Sequence, residues 1–549
     1  MKICLALWVT MLFSCAVKSE RSWWKTMSIY QIYPKSFKDS DGDGIGDLKG
    51  IESKLDHLVD SHVNAFWLSP VTTSPMVDNG YDISDFVGID PSFGTMEDFE
   101  SLVKKAHELK LKVVLDFVPN HSSDQHEWFK KSVEEIEPYT DYYVWHEGRN
   151  VNGTLEPPNN WRSEFNGSAW TWNEKRGAFY LHQFTKEQPD LNYRNQGLVE
   201  EMKNVLRFWM EKGVDGIRID ACPYLFEDPR FLDEPLSGKT TDPNSKDYTI
   251  HIYTKHQHEN YEMIQQWRDF IDEYSAKVDQ VPRVMIVEAY ANISSTMKYY
   301  KYGADFPFNF GLMDIVNSSE AIDVKNNIER WMTNLPSGST PNWVAGNHDN
   351  FRLVSRLGVN RAMAITAMVL LLPGAAVTYN GEEIGMIDTP IDSDDPARFR
   401  DPARSPFQWD FTVSAGFSTN PKTWLPVNKN YLTHNLLTEK ADCESYYSYY
   451  KALAFLRKLP AVQSEYLQLE VLKKDILAFA RKEKGEKSVY VLSNFGDQIR
   501  TVSLGIFKNT PAILLVYRST PGILLKPGSL VESYEVSIPP SATIVLMDI

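Results

Sequence analysis

Short apolar runs recur along this chain with helical stretches between them, and that alternation constrains the fold more than any other feature. The runs are Ile29-Tyr30-Gln31-Ile32-Tyr33, Asn64-Ala65-Phe66-Trp67-Leu68, Lys112-Val113-Val114-Leu115-Asp116, Gly216-Ile217-Arg218-Ile219-Asp220, Val284-Met285-Ile286-Val287-Glu288, Asn342-Trp343-Val344-Ala345-Gly346 and Ala375-Ala376-Val377-Thr378-Tyr379. A weaker one covers Gly303-Ala304-Asp305-Phe306. Continuous apolar runs are what parallel strands buried on both faces require. Between two of them, Thr95 to Leu109 reads as a helix: Phe99, Leu102, Val103, Ala106 and Leu109 give its apolar face. Thr95 and Asp98 form a capping-box pattern at its start. Strand–helix alternation means βαβ units, and eight strands predict an α/β fold of the (β/α)8 TIM-barrel type.

The third and fourth runs lie too far apart for a single helix. Residues 118–200 are rich in Trp, Asn, Pro and Gly, and we expect an inserted domain there, after the third strand. From residue 465 the pattern changes to short strands, among them Val489–Leu492, Ala512–Leu515 and Thr543–Leu546. That reads as a C-terminal all-β domain over 465–549. The barrel then takes 17–117 and 201–464, and residues 1–16 are set apart as a leader.

The leader has Lys2 as a short basic region, an apolar stretch from Ile3 to Phe13, and the small residues Ser14 and Ala16 flanking Cys15. This is the pattern of a secretory signal peptide, too short for a membrane span. No later segment is long and apolar enough to span, and the C-terminus lacks a lipid-anchor signal. The expectation is a secreted, extracellular protein without a membrane anchor. Asn152, Asn166, Asn292 and Asn317 lie in glycosylation sequons. Asn120 fits the pattern too, but its neighbours belong to a proposed site, and we expect it unmodified. Cys4 and Cys15 leave with the leader; of the remaining Cys222 and Cys443, Cys222 is expected as a buried free thiol. The net charge of −16, with no basic run, argues against nucleic acid as a partner.

Several strand candidates end in polar residues: Asp116, Asp220, Glu288 and His348-Asp349. In a barrel those ends form one face, and barrel enzymes work there. Three carboxylates on one mouth suit cleavage of a glycosidic bond: one attacks the anomeric carbon, one protonates the leaving oxygen, and a third steadies the positive charge on the ring. Retaining enzymes hold the first two about 5–5.5 Å apart. Arg218 stands two residues before Asp220, so period-2 geometry puts both side chains on one face of the strand. A nearby guanidinium keeps a carboxylate ionised, which makes Asp220 the expected nucleophile and Glu288 the acid.

Asp116-Phe117-Val118-Pro119-Asn120-His121, Gly216-Ile217-Arg218-Ile219-Asp220, Glu288-Ala289-Tyr290 and Asn347-His348-Asp349-Asn350 resemble the four signature segments of the α-amylase superfamily. Gln188-Pro189-Asp190-Leu191-Asn192 resembles a further segment, in the form of the α-glucosidase (maltase) branch. Met76-Val77-Asp78-Asn79-Gly80-Tyr81-Asp82 and the stretch from Arg400 to Trp409 are similar to insect maltases. The resemblance implies Asp220 as nucleophile, Glu288 as acid/base and Asp349 as transition-state stabiliser. It implies that His121, Arg218 and His348 line a glucose subsite, that Asp78 and Arg404 hold a terminal 4-hydroxyl, that Tyr81 stacks beneath the sugar, and that Phe184 adds an apolar wall. Asp116 takes a supporting part. The activity implied is that of a retaining exo-α-glucosidase acting on terminal α-1,4-linked glucose in maltose, short malto-oligosaccharides and sucrose. Ala221, after the nucleophile, goes with α-1,4 cleavage in this branch.

Asp39-Ser40-Asp41-Gly42-Asp43-Gly44-Ile45-Gly46-Asp47 mimics the start of an EF-hand loop, but its twelfth position is Gly50 instead of Glu. The spacing still gathers Asp39, Asp41, Asp43, Asp47 and the Ile45 carbonyl around one hard cation, and the branch it resembles has a Ca²⁺ loop of this form. A structural Ca²⁺ and no organic cofactor are expected. The same residues would serve a transglucosylase, in which a second sugar instead of water intercepts the glycosyl-enzyme. A non-enzymatic relative, such as a transporter heavy chain or a receptor, needs a membrane span or anchor, and the three acids speak against it.

Overall fold

The computed structural model describes residues 23–391 and 396–549. The leader expected over residues 1–16 lies outside the described residues. Eight short strands carry the fold: β1 (Ser28–Ile32), β2 (Ala65–Leu68), β3 (Lys112–Phe117), β4 (Gly216–Ile219), β5 (Val284–Val287), β6 (Phe306–Pro307), β7 (Asn342–Val344) and β8 (Ala375–Tyr379).

The chain divides into two compact units. One holds the described residues up to Trp67, with Lys104–Lys112 and Phe308–Ile549; the other holds Leu68–Val103 and Val113–Pro307. In the first unit the strand order is β2-β1-β8-β7, and in the second β6-β5-β4-β3. The β1–β8, β7–β8, β3–β4, β4–β5 and β5–β6 pairs are parallel. These are the eight strands of a (β/α)8 barrel, the fold that the alternation of runs and helices predicts. Every residue of β1, β4, β5 and β8 is buried, which is why their sequences carry no polar alternation.

The helix expected from Thr95 spans Met96–Glu108. Its capping box forms as read: the Asp98 amide donates to Thr95 Oγ1 at 3.3 Å, and the Thr95 amide donates to Asp98 Oδ2 at 3.0 Å. The sixth strand is shorter and later than the run from Gly303 to Phe306. Gly303 has φ +93° and follows the helix Ile293–Lys301, so it serves the helix end instead of starting the strand.

Within the second unit, Trp145–His146, Ala178–Leu181 and Trp170–Asn173 form a small antiparallel sheet between β3 and β4. Its core is aromatic: Trp161 and Trp170 stack at 5.8 Å and pack with Phe179 and Leu181. In the first unit, a six-stranded antiparallel sheet takes in Gln468–Leu472, Ile476–Arg481, Val489–Asn494, Thr543–Met547, Ile513–Ser519 and Leu530–Glu532. Among the described residues no helix is long and apolar enough to cross a membrane. Cys222 is free and buried, as expected, and Cys443 is free and exposed.

Candidate active site

Register sets up the centre of the second unit. Arg218 on β4 pairs with Asp116 on β3, and Ile219 pairs with Val287 on β5. Asp220 and Glu288 each follow their strand by one residue, so the two acids emerge at neighbouring strand ends. Arg218 joins the carboxylates. It donates to Asp116 Oδ1 at 2.9 Å, donates to Asp220 Oδ1, and lies 3.4 Å from Glu288 Oε2. The shared face of Arg218 and Asp220 is therefore realised. All four residues are buried, and a buried guanidinium facing three carboxylates is pushed further toward its charged form, although burial itself opposes charge. Asp116 lies inside β3, not at its end. Burial pushes its carboxyl up to about 6 against the pull of Arg218 and Tyr81.

The sugar-facing candidates of this unit connect to that centre in one chain of contacts. Tyr81 donates its hydroxyl to Asp116 Oδ2 at 3.0 Å. His121 Nε2 lies 3.1 Å from the Tyr81 carbonyl and 3.0 Å from the Gln188 amide nitrogen. The same Gln188 nitrogen donates to Asp78 Oδ2 at 3.2 Å. The Phe184 ring sits 5.0 Å from His121 and 5.3 Å from Tyr224. Burial lowers the His121 pKa to about 4, so its ring is neutral at pH 7. The structure thus brings together Asp78, Tyr81, Asp116, His121, Phe184, Arg218, Asp220 and Glu288.

The first unit holds a second cluster, beyond β7. Arg400 and Arg404 both donate to Asp349 Oδ1 at 3.0 Å, and His348 Nε2 lies 3.4 Å from Asp349 Oδ2. Arg404 also donates through Nε to the His348 carbonyl at 2.7 Å. Burial works against an ionised Asp349, yet the Arg400 and Arg404 guanidiniums beside it hold its carboxyl well below the usual range. His348, Asp349 and Arg404 are thus in mutual contact within this unit.

In the loop 39–47, Asp39, Asp41 and Asp43 offer carboxylate oxygens within 4.8 Å of one another. Burial raises the Asp43 pKa, and Asp41, Asp39 and Asp47 add to the rise. This crowding of hard oxygen donors fits a divalent cation such as Ca²⁺. The Asp47 carboxylate is also engaged in local hydrogen bonds. It caps the helix Leu48–Glu52 by accepting from the Gly50 amide, and it accepts from Ser40. The Ile45 amide donates to Asp43 Oδ1. Gly44 has φ +96°, and a Cβ there would lie 2.3 Å from the Lys422 carbonyl, so no larger residue fits. The Asn152, Asn166, Asn292 and Asn317 sequons are exposed, and Asn120 is buried.

Gln31, Tyr33, Gln188 and Arg400 touch these clusters and are absent from the residues singled out by sequence. Gln188 and Arg400 lie inside quoted motifs, so motif membership was the available signal. Gln31 and Tyr33 stand in the first apolar run, Gln31 within β1 and Tyr33 just after it, where nothing in the spacing marks them.

The α-amylase catalytic-domain family ("Alpha amylase, catalytic domain") matches residues 31–465. An α-glucosidase of Apis mellifera is 50% identical over 93% of this chain and 92% of its own. Maltase A1 of Drosophila melanogaster is 46% identical over 88% of this chain and 89% of its own. Among solved structures, the α-glucosyl transfer enzyme XgtA superposes with a TM-score of 0.84 at 31% identity, covering 96% of this chain and 99% of that one.

Proposed function

This chain belongs to the α-amylase family, and from that premise we propose that it is a retaining exo-α-glucosidase acting on terminal α-1,4-linked glucose. The observation that carries the reading is one guanidinium, Arg218, reaching both Asp220 and Glu288 at adjacent parallel strand ends. Carboxylates held on one arginine suit the short spacing of a retaining mechanism, about 5–5.5 Å.

In the proposed reaction Asp220, kept ionised by Arg218, attacks the anomeric carbon while Glu288 gives its proton to the departing oxygen. The glycosidic C–O bond breaks and a glycosyl ester of Asp220 forms. Glu288, now a carboxylate, takes a proton from water, the resulting hydroxyl attacks the same carbon, and Asp220 leaves. Two inversions give net retention. The family resemblance assigns Asp349 the stabilisation of the oxocarbenium-like transition state, and its depressed pKa supports an ionised role. Asp78 and Arg404 are assigned to the terminal 4-hydroxyl, and His121, Arg218, His348, Tyr81 and Phe184 to the glucose ring.

The acid cluster Asp39, Asp41 and Asp43 supports a structural Ca²⁺, which supplies loop stability and no chemistry. The exposed sequons Asn152, Asn166, Asn292 and Asn317, with the apolar leader, support a secreted glycoprotein whose partner is a small sugar. Domains over 17–117 with 201–464, over 118–200 and over 465–549 remain part of this proposal.

The test is proton NMR of the first product from maltose, run beside isomaltose, sucrose and starch. Early α-glucose from maltose is the expected result. Early β-glucose, or longer oligosaccharides from starch, overturns the reading. Yield of new disaccharides at high maltose measures transfer to a second sugar.

A further inference from the structure

Gln31 and Tyr33 are two residues apart and so share one face; both meet His348. The Gln31 amide nitrogen lies 2.8 Å from His348 Nδ1, with both side chains buried. An amide N–H can only donate, so Nδ1 must offer its lone pair and the ring proton must sit on Nε2. Nε2 is the nitrogen 3.4 Å from Asp349 Oδ2. A second ring proton, at Nδ1, would point at the amide N–H.

The ring has little freedom to escape that contact. Tyr33 flanks it at 5.6 Å and Trp67 meets it edge-on at 6.3 Å. Trp424 stacks on Tyr33 at 6.1 Å, and the Arg404 guanidinium lies 5.5 Å from the Tyr33 ring. Charged groups around His348 in this unit include Asp349, Arg404, and Arg400 through Asp349.

We propose that Gln31 is a positioning residue that holds His348 neutral, with its proton on Nε2 toward Asp349. The proposal rests on the glucosidase reading for its kinetic meaning. Asp349 already receives two guanidiniums. A third positive charge beside it would offset the negative charge that a developing sugar cation needs. Gln31 prevents that charge by occupying Nδ1 with a donor, and it keeps Nε2–H available as a donor in its turn.

The experiment combines nitrogen-15 NMR of the histidine-labelled full chain with the pH dependence of maltose hydrolysis. The His348 signals are identified by their loss in His348→Gln. In the native protein Nδ1 should report an unprotonated acceptor, and Nε2 a protonated nitrogen, from about pH 8 to about pH 5. Gln31→Met removes the donor and frees Nδ1 to take a proton. Since protonated His348 is the inactive form, kcat should then be lost at higher pH than in the native enzyme. We expect the acid limb of kcat to rise by about one pH unit, with KM at the optimum changed no more than about two-fold. Gln31→Glu should move the limb further, because a carboxylate at Nδ1 attracts the second proton. A residue that only fills space would lower kcat or stability and leave the limb where it was. Native Nδ1 found protonated at neutral pH, or an unmoved limb in both folded variants, overturns the proposal. Native enzyme without maltose hydrolysis overturns the glucosidase reading alone, and the NMR of the native chain still decides the role of Gln31.

Discussion

The backbone amide of Ala221 donates to Oε2 of Glu288 at 2.9 Å. Ala221 reaches that carboxylate from a left-handed conformation, φ 49° and ψ 32°, which few residues other than glycine adopt without strain. The turn after Asp220 therefore aims a donor at the acid on the neighbouring strand. It also means that a substitution at this position acts on the backbone as well as on the pocket.

Ala221→Gly should keep activity and leave stability unchanged or raised by about 1 kcal/mol, because glycine takes a positive φ freely. Ala221→Val should lower stability by ~1–2 kcal/mol, since a β-branched residue is strained there. Thermal or denaturant unfolding measures both. On sugars, the native enzyme should prefer maltose to isomaltose, and Ala221→Val should shift the kcat/KM ratio toward isomaltose by ~10-fold or more. A native enzyme that prefers isomaltose, or a ratio untouched by valine, removes Ala221 from the account of linkage.

Asp220→Asn and Glu288→Gln should each lower kcat on maltose by at least about 10³-fold while the fold survives, since both changes are nearly isosteric. The two should part on an aryl glucoside with a good leaving group. That substrate needs little protonation, so Glu288→Gln should keep its first step, whereas Asp220→Asn should lose it. Equal losses on both substrates would remove Glu288 as the acid.

Chelation should lower the melting temperature by about a few degrees, through loss of the cation that relieves Asp39, Asp41 and Asp43. Activity at low temperature should be mostly kept. Added Ca²⁺ should restore the transition, and Asp39→Asn should make it insensitive to chelator. Elemental analysis showing no bound metal, together with an unchanged transition, would dismiss the site.

His126 caps the helix Glu127–Val133 with a ring nitrogen, accepting the Trp128 amide at 3.0 Å. Only the neutral ring can accept, and burial lowers its pKa to about 3. In the unfolded chain the ring protonates near pH 6.5. The unfolded state therefore binds a proton that the folded state refuses, and stability falls as pH drops from about 6.5 toward 3. His126→Asn retains a cap without that titration. Its loss of stability on acidification should be smaller by roughly 1–3 kcal/mol, read from denaturant unfolding at pH 7 and pH 4. Parallel slopes in the two proteins would show that His126 is not the titrating group.

The barrel strands and the helix Met96–Glu108 were legible because their signals are local. An apolar run reports burial on both faces of a strand, and a capping box lies within four residues. Asp220 and Glu288 could be read from their position after such runs, and Arg218 from the period of a strand. The sixth strand starts later than its apolar run suggests because Gly303 ends a helix, a choice made by backbone conformation instead of hydrophobicity.

By itself, the sequence determined the order of strands and helices and the residue types at the strand ends, since burial and period act between near neighbours in the chain. Tertiary structure decided which of those residues meet. Arg218 and Asp116 are 102 positions apart and join because β3 and β4 pair in one register. Gln31 and His348 are 317 apart, and no local pattern links them. A shift of one residue in either strand would turn each side chain to the opposite face. Such contacts depend on the packing of the whole sheet, and that packing is set by the chain as a whole.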